Sequence, residues 1–464
     1  MKTLLVYDLE TSGLTPFDQV LQYAAIRLNA DTLEEIEREE IEVAWRRDMI
    51  PSPEAYLVHQ IPIEGRTKAI QESQAIKKIH DAVNQPNTLS GGYNTLGFDD
   101  EILRFSFYRT LFSPYTHQFT NGCGRFDILP MVLFYYLFAT DTLQWPKKPD
   151  GRPSFKLEDL NRENGWVSGR AHDAMVDVAA TVALMRHLRL NKPMWDYMLG
   201  YFDKQTDQAR VMDLMQQEPS YAGVGIMVSL RLGHERNYMA PVLHLGPHHK
   251  YKNQSVFIRL DEPITSLDQA VVDSLVLKKK YGEPGFILPY IDRYRQKLGD
   301  QCQDLVTKNL SIIHAGNEDG VLQQHARHQK YDPVENVDLD ASLYSQGFLT
   351  RVEQEWCEQF HLSGHHAREQ LLDNMPNETL KMQALRYLWR YHPEQVPVKQ
   401  LEATEASIQD SLMGAVDYRN QMRKTPNQAH SSIQEHLAEV KDQELLKGLE
   451  QMQAHIEKLP GFKG

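Results

Sequence analysis

Apolar and polar positions change period several times along this chain, and each change marks an expected element. Residues 3–7, apolar from Leu4 onward, read as a buried strand. Val20–Leu28 reads as a second strand beyond a Gly13/Pro16 turn, so the chain opens with a hairpin. The acidic run Glu34–Glu40 is expected on a solvated turn or strand edge, where charge runs usually lie. Ala69, Ile70, Ile76, Ile79 and Val83 fit a helix over 67–83 that Asn84 and Pro86 end. A buried strand running into a turn follows at Thr88–Tyr93, then helices at about Asp99–Leu111 and Ile128–Phe138. A short helix is expected over Ser154–Asn164, with Ser154 as N-cap and Gly165 as the stop. Ala171–Leu188 makes one more helix, and Asn191-Lys192-Pro193 breaks it.

Beyond residue 190 the texture shifts. Short β-rich pieces at Gly223–Leu232, Met239–Leu245 and Ser255–Leu260 sit between Gly, Pro and His turns. From about 345 the pattern is helical. Its last long segment carries Ile433, Leu437, Val440, Leu445, Leu449, Met452 and Ile456 behind a Ser432-x-x-Glu435 capping box, and is expected as one helix packed on its own domain. A chain of 464 residues exceeds what a single core supports, so three domains are expected at 1–190, 195–340 and 345–464. Strands mixed with helices in the first of these give an α/β layer structure.

Composition changes this picture little: 41% hydrophobic and 24% charged residues describe an ordinary globular protein rather than a disordered one. The first apolar run is too short for a secretion signal and no stretch has membrane-spanning length, so a cytoplasmic protein with no membrane association is expected. Cys123, Cys302 and Cys357 form no CxxC pair and read as buried small hydrophobes, not as disulfides or a zinc site. The net charge of −13 sits awkwardly with a polyanionic ligand, unless acidic residues gather around cations and a local basic groove guides the strand. Lys278-Lys279-Lys280-Tyr281 is either such a phosphate guide or a solvated surface run.

Three acidic segments carry the candidate chemistry. Asp8-Leu9-Glu10 ends the first strand, and side chains at i and i+2 share a face, so both carboxylates converge on one point. Like charges held close resist joint ionisation unless a cation lies between them, and hard oxygen ligands favour Mg²⁺ or Mn²⁺. A second segment, Gly91 to Asp100, delivers Asp99 or Asp100 to the start of a helix, where either is also a natural cap. The third is His172-Asp173-Ala174-Met175-Val176-Asp177. Five residues apart do not share a helical face, so if Asp177 projects from the helix, His172 reaches the same place from the preceding loop, and Asp173 fits an N-cap.

Asp8-x-Glu10, Phe98-Asp99 and His172-x4-Asp177 together resemble the three motifs of the DEDDh family of 3′-to-5′ exonucleases. The stretches Tyr93–Tyr115, Pro153–Gly165 and His172–Val178, with the overall length, resemble its bacterial exodeoxyribonuclease I branch. The resemblance implies a ribonuclease H-like exonuclease domain, an SH3-like β-containing domain and a C-terminal helical domain. It implies that Asp8, Glu10, Asp99 and Asp177 hold two Mg²⁺ ions, Mn²⁺ being a substitute, and that His172 is the general base. Asp99 is chosen over Asp100 because the matching family position directly follows the phenylalanine.

Thr11, Leu14, Asn94, Phe98, Phe155 and Lys156 are the implied substrate contacts, although Phe98 and Phe155 fit a core equally well and Asn94 a turn. The implied activity is release of nucleoside 5′-monophosphates from the 3′ end of single-stranded DNA by a monomer, in DNA repair or recombination, with docking of the acidic tail of single-stranded DNA-binding protein. The rivals are an RNA 3′ exonuclease of the same family, whose members are little more than the nuclease domain, and a non-catalytic nucleic-acid-binding scaffold. The scaffold would lack at least one ligand, yet all four carboxylates and the histidine are present.

Overall fold

The computed structural model describes residues 1–170, 172–317 and 320–463. The elements run β1 (Thr3–Thr11), β2 (Val20–Asn29), β3 (Glu35–Glu42), α1 (Pro53–His59), α2 (Glu72–Val83), β4 (Thr88–Gly92), α3 (Asp99–Arg109), β5 (Gly124–Asp127), α4 (Ile128–Phe138), α5 (Leu157–Asn164) and α6 (Ala174–Leu188). There follow α7 (Lys192–Leu199), α8 (Lys204–Met212), β6 (Val224–Val228), β7 (Met239–Pro247), β8 (Gln254–Arg259), α9 (Gln269–Leu275), β9 (Val276–Lys280), β10 (Phe286–Pro289), α10 (Asp292–Arg295), α11 (Asp300–Gly316) and α12 (Val321–His328). The last six helices are α13 (Arg351–Leu362), α14 (His365–Asp373), α15 (Glu378–Tyr391), α16 (Val398–Leu412), α17 (Pro426–Glu439) and α18 (Gln443–Ile456). They fall into two compact units, one of residues 1–124, 167–182 and 333–464, the other of 125–166 and 183–332.

In the first unit, β1 pairs antiparallel with β2 and parallel with β4, while β3 lies on the outer side of β2. As an interior strand β1 is covered on both faces, which is why its run Leu4-Leu5-Val6-Tyr7 is continuously apolar rather than alternating. The acidic run is β3 itself, and its exposed glutamates keep that strand from pairing further. Gly92 is required where β4 ends: a Cβ there would stand 2.3 Å from the Tyr7 carbonyl oxygen. Leu5, Tyr7, Val20 and Tyr23 pack with Ile76 and Ile79 of α2 and Leu103 and Phe107 of α3.

The C-terminal helices belong to this same unit. Tyr56 of α1 and Leu111 join Trp356, Phe360, Leu388, Trp389, Ile433 and Met452 in one core. A buried charge network crosses it: Arg46 and Arg390 both reach Asp48, at 2.6 and 2.8 Å, and Arg390 also pairs with Asp340.

The second unit is built on an antiparallel sheet in the order β10-β6-β7-β8-β9. Val211, Leu214, Val242, Phe257, Tyr281 and Ile287 form its core. The α/β, β-containing and helical textures expected of the three stretches are all present.

Four local expectations change. The long terminal helix is two: Thr425 and Gln428 form the capping box of α17, Val440 is extended, and Asp442 caps α18, so Ser432 lies inside a helix. Ser154 does not cap α5, which starts at Leu157; its hydroxyl donates to Asp159 at 2.6 Å, while Gly165 does stop the helix. The expected start at Ala171 lies outside the described residues, and α6 begins at Ala174. Cys302 is half-buried, unlike Cys123 and Cys357; all three are free thiols.

Candidate metal centre

Strand alternation puts Asp8 and Glu10 on one face of β1, opposite Ala24 and Gln22 of β2. The register slips between Glu10 and Thr11, a bulge that turns the chain out of the sheet just past the second carboxylate. The following turn is held from several sides. Ser12 donates to Asp18 Oδ1 at 2.8 Å, and the Thr15 N–H and hydroxyl donate to Oδ2 at 2.8 and 2.7 Å. Buried Arg109 donates to the carbonyls of Pro16 and Asp18, and Arg46 to that of Phe17.

Asp99 opens α3 and is buried. Its neighbour Asp100 faces elsewhere, paired with Arg104 at 3.2 Å and His117 at 2.9 Å. Asp173 caps α6 by accepting from the N–H groups of Met175 (3.1 Å) and Val176 (3.3 Å), which fixes the first turn that presents Asp177. His172, just ahead of the cap, has a left-handed backbone (φ 62°), and its N–H donates to Asp177 Oδ2 at 3.1 Å.

Among the described residues, Glu10, His172 and Asp177 each offer one ligand atom, and these atoms lie within 4.8 Å of one another. The electrostatics bind the remaining carboxylates to the same place. Burial, with the charges of Asp99 and Asp177, raises the Asp8 carboxyl well above its ordinary range. Burial, with Asp8 and Asp177, pushes Glu10 up to about 9, and the Arg170 guanidinium partly opposes this. Oxygen donors whose ionised forms are disfavoured until positive charge arrives fit hard divalent cations.

The implied substrate residues are placed unevenly. Thr11 is buried and donates to the Gly13 carbonyl at 2.8 Å, whereas Leu14, at the tip of the same turn, is 73% exposed. Asn94 is exposed, with a left-handed backbone (φ 63°), and heads the turn before α3. Phe98 is half-buried against the α2/α3 core. Phe155 and Lys156 belong to the second unit: Phe155 packs edge-on between Tyr136 and Tyr238, and exposed Lys156 pairs with Glu158 at 3.1 Å.

The lysine run is not a uniform surface. Lys279 is fully buried, bonded to Asp207 at 2.6 Å, so only Lys278 and Lys280 of that strand reach outward. The sequence offered no signal for Arg170 beyond its place two residues ahead of His172.

The exonuclease family described as RNase_T matches residues 5–185. Exodeoxyribonuclease I of Escherichia coli (strain K12) is 33% identical over 276 residues, 59% of this chain and 57% of that protein. The same enzyme of Buchnera aphidicola subsp. Schizaphis graminum is 33% identical over 295 residues, 62% of this chain and 60% of its own length, so the aligned portions span less than two thirds of these relatives. The crystal structure of E. coli Exonuclease I in complex with a dA16 oligonucleotide superposes with a TM-score of 0.84 at 22% identity, covering 99% of this chain and 100% of that one. The match to the exonuclease family over residues 5–185 takes in the Asp8, Glu10, Asp99, His172 and Asp177 positions.

Proposed function

We propose that this protein is a 3′-to-5′ exodeoxyribonuclease that hydrolyses single-stranded DNA to nucleoside 5′-monophosphates. Asp8, Glu10, Asp99 and Asp177 hold two divalent ions in this reading, Mg²⁺ with Mn²⁺ as a substitute. The observation that carries it is the convergence of Glu10, His172 and Asp177 within 4.8 Å, in the shared field of Asp8 and Asp99. The E. coli protein of the same fold was crystallised with a dA16 oligonucleotide, which supports the substrate class.

When bound, the cations supply Lewis-acid stabilisation of the charge that develops on phosphorus oxygens during in-line displacement. His172 accepts the proton of the attacking water; it is exposed and stands on a loop beside Glu10 and Asp177. Asp173 and Asp177 hold that loop through the backbone bonds described above, so the base is pre-positioned at modest cost on substrate binding. The braced turn carrying Thr11 and Leu14, with Asn94 and Phe98 at the start of α3, borders the carboxylates and receives the terminal nucleotide. Phe155 and Lys156 are substrate contacts in the same reading, an aromatic face for a base and a cation for a phosphate.

The same reading gives a nuclease domain at 1–190 with accessory domains at 195–340 and 345–464. It also gives a monomeric cytoplasmic enzyme of DNA repair, with single-stranded DNA-binding protein as partner. Among the described residues no helix is long and apolar enough to cross a membrane.

The test is digestion of matched single-stranded DNA, double-stranded DNA and single-stranded RNA, each labelled at the 5′ end, with Mg²⁺ or EDTA, by wild type and Asp177→Asn. Progressive 3′ shortening of single-stranded DNA that needs Mg²⁺ and is lost in the variant is expected. Preferential trimming of RNA would move the protein to the RNA-processing branch, and binding without digestion would leave only a scaffold.

A further inference from the structure

His172 stands on a loop outside the helix it precedes, with a left-handed backbone that is uncommon for residues other than glycine. Asp173 and Asp177 fix the helical side of this loop. The other side is fixed by Arg170. Its guanidinium donates through Nη1 to Gln60 Oε1 at 2.7 Å and through Nη2 to the His59 carbonyl at 2.9 Å.

Both acceptors lie at the C-terminal end of α1, where the last carbonyls have no partner within the helix and favour a cation. That end is itself rigid. Gln60 is a left-handed C-cap (φ 60°) whose N–H bonds the Tyr56 carbonyl at 2.7 Å, and buried His59 accepts from the Ile61 N–H at 2.8 Å.

Helix α1 is seated on α17 and α18. Glu54 pairs with Lys424 at 3.1 Å and accepts from the Ser432 hydroxyl at 3.3 Å. The Tyr56 hydroxyl donates to the Glu444 carbonyl at 3.3 Å, its ring lying where a Cβ on Gly448 would be. A continuous line of contacts therefore runs from the C-terminal helices through α1 to the loop that carries His172.

We propose that Arg170 is a positioning residue: it ties the His172 loop to the end of α1, so the seat of α1 on the C-terminal helices sets where the imidazole stands. This deepens the assignment of His172 as general base and rests on it. Two directed bonds to acceptors on neighbouring residues suit the fixed fork of a guanidinium, whose two Nη groups each take one acceptor. The role predicts a loss in turnover rather than in substrate binding, because the loop is misplaced while the carboxylates keep their places.

The experiment measures kcat and KM on 5′-labelled oligo(dT) with saturating Mg²⁺ for wild type, Arg170→Met, Gln60→Gly, His172→Ala and the Arg170→Met/His172→Ala double variant. Arg170→Met is expected to lower kcat about tenfold at unchanged KM and unchanged unfolding midpoint, and to add nothing in the His172→Ala background. Gln60→Gly removes one acceptor while favouring the left-handed backbone, and should lower kcat about threefold. Wild-type turnover in Arg170→Met, a rise in KM in place of the fall in kcat, or losses that multiply in the double variant would each overturn the positioning role. Full activity in His172→Ala would instead remove the general-base assignment, and the proposal with it; the single-variant data tell the two failures apart.

Discussion

Replacing Glu10 by glutamine tests the electrostatic reading of the centre without relying on activity. Burial, reinforced by Asp8 and Asp177 and opposed by Arg170, raises the Glu10 carboxyl from 4.5 to about 9. A folded value above the unfolded one means that this group's contribution is fully present below about pH 4.5 and is lost as pH rises towards 9. At pH 7 the metal-free folded protein still holds a proton that the unfolded chain has released. The interval of about 2.5 pH units above 4.5, at about 1.36 kcal/mol each, disfavours the folded state by about 3 kcal/mol.

Glutamine keeps the size of the side chain and removes the ionisation. In EDTA, Glu10→Gln should therefore be more stable than wild type by up to about 3 kcal/mol at pH 7, with the difference closing near pH 4.5. Saturating Mg²⁺ should reverse the order, because a cation is stabilised by the carboxylate and only weakly by the amide oxygen. Mg²⁺ binding by wild type near pH 7 should also release more protons than binding by the variant, since the ligand must give up its proton. Urea unfolding in EDTA and in Mg²⁺ across this pH range, with calorimetry in buffers of different ionisation enthalpy, reads all three. Coincident EDTA stabilities of the two proteins from the acid to the alkaline end would refute the argument.

Three further outcomes concern the supports of the fold. Gly448→Ala places a Cβ 1.8 Å from the Tyr56 hydroxyl oxygen, so α1 or α18 must move; a loss of about 1–3 kcal/mol is expected in urea unfolding, with faster hydrogen exchange in α1. Arg390→Met leaves Asp48 and Asp340 buried without their shared guanidinium, which should cost about 3–5 kcal/mol. Burial would raise the Asp48 carboxyl, but Arg390, Arg46 and Arg423 outweigh it and hold it well below 3.8. The stabilisation from this pairing is therefore present above about pH 3.8 and lost on acidification below it, and the Arg390→Met stability curve should be flatter there. In the second unit, Lys279→Met strands Asp207 in the interior and should cost about 3–5 kcal/mol, whereas the Lys279→Met/Asp207→Asn double variant should recover part of the loss.

What could be read from the sequence and what could not divide along a physical line. The carriers of Asp8, Glu10, Asp99 and Asp177 stand out because each sits at the end of an element whose local rule is strong: strand parity for the first two, a helix start for the others. Where two local rules compete, the pattern is degenerate. Ser432-x-x-Glu435 and Thr425-x-x-Gln428 both satisfy the capping-box spacing; Pro426 at the first helical position favours the earlier one as the start of α17, and the Val440-Lys441-Asp442 interruption separates it from α18. Strand parity applied to residues 276–280 would have turned Lys279 away from Lys278 and Lys280, but a run of three identical charges masks the alternation that the buried Asp207 partner reveals. The supports of the centre leave no such trace. Arg390 meets Asp48 across 342 residues, and Arg109 and one arm of Arg170 act on main-chain carbonyls, which every residue carries and no residue pattern marks. Since a carbonyl is present whichever residue bears it, the half of the His172-loop bracing that runs to the His59 carbonyl depends on where α1 ends, which only the folded backbone shows; the other half needs the Gln60 side chain, whose partner 110 residues away leaves no local pattern.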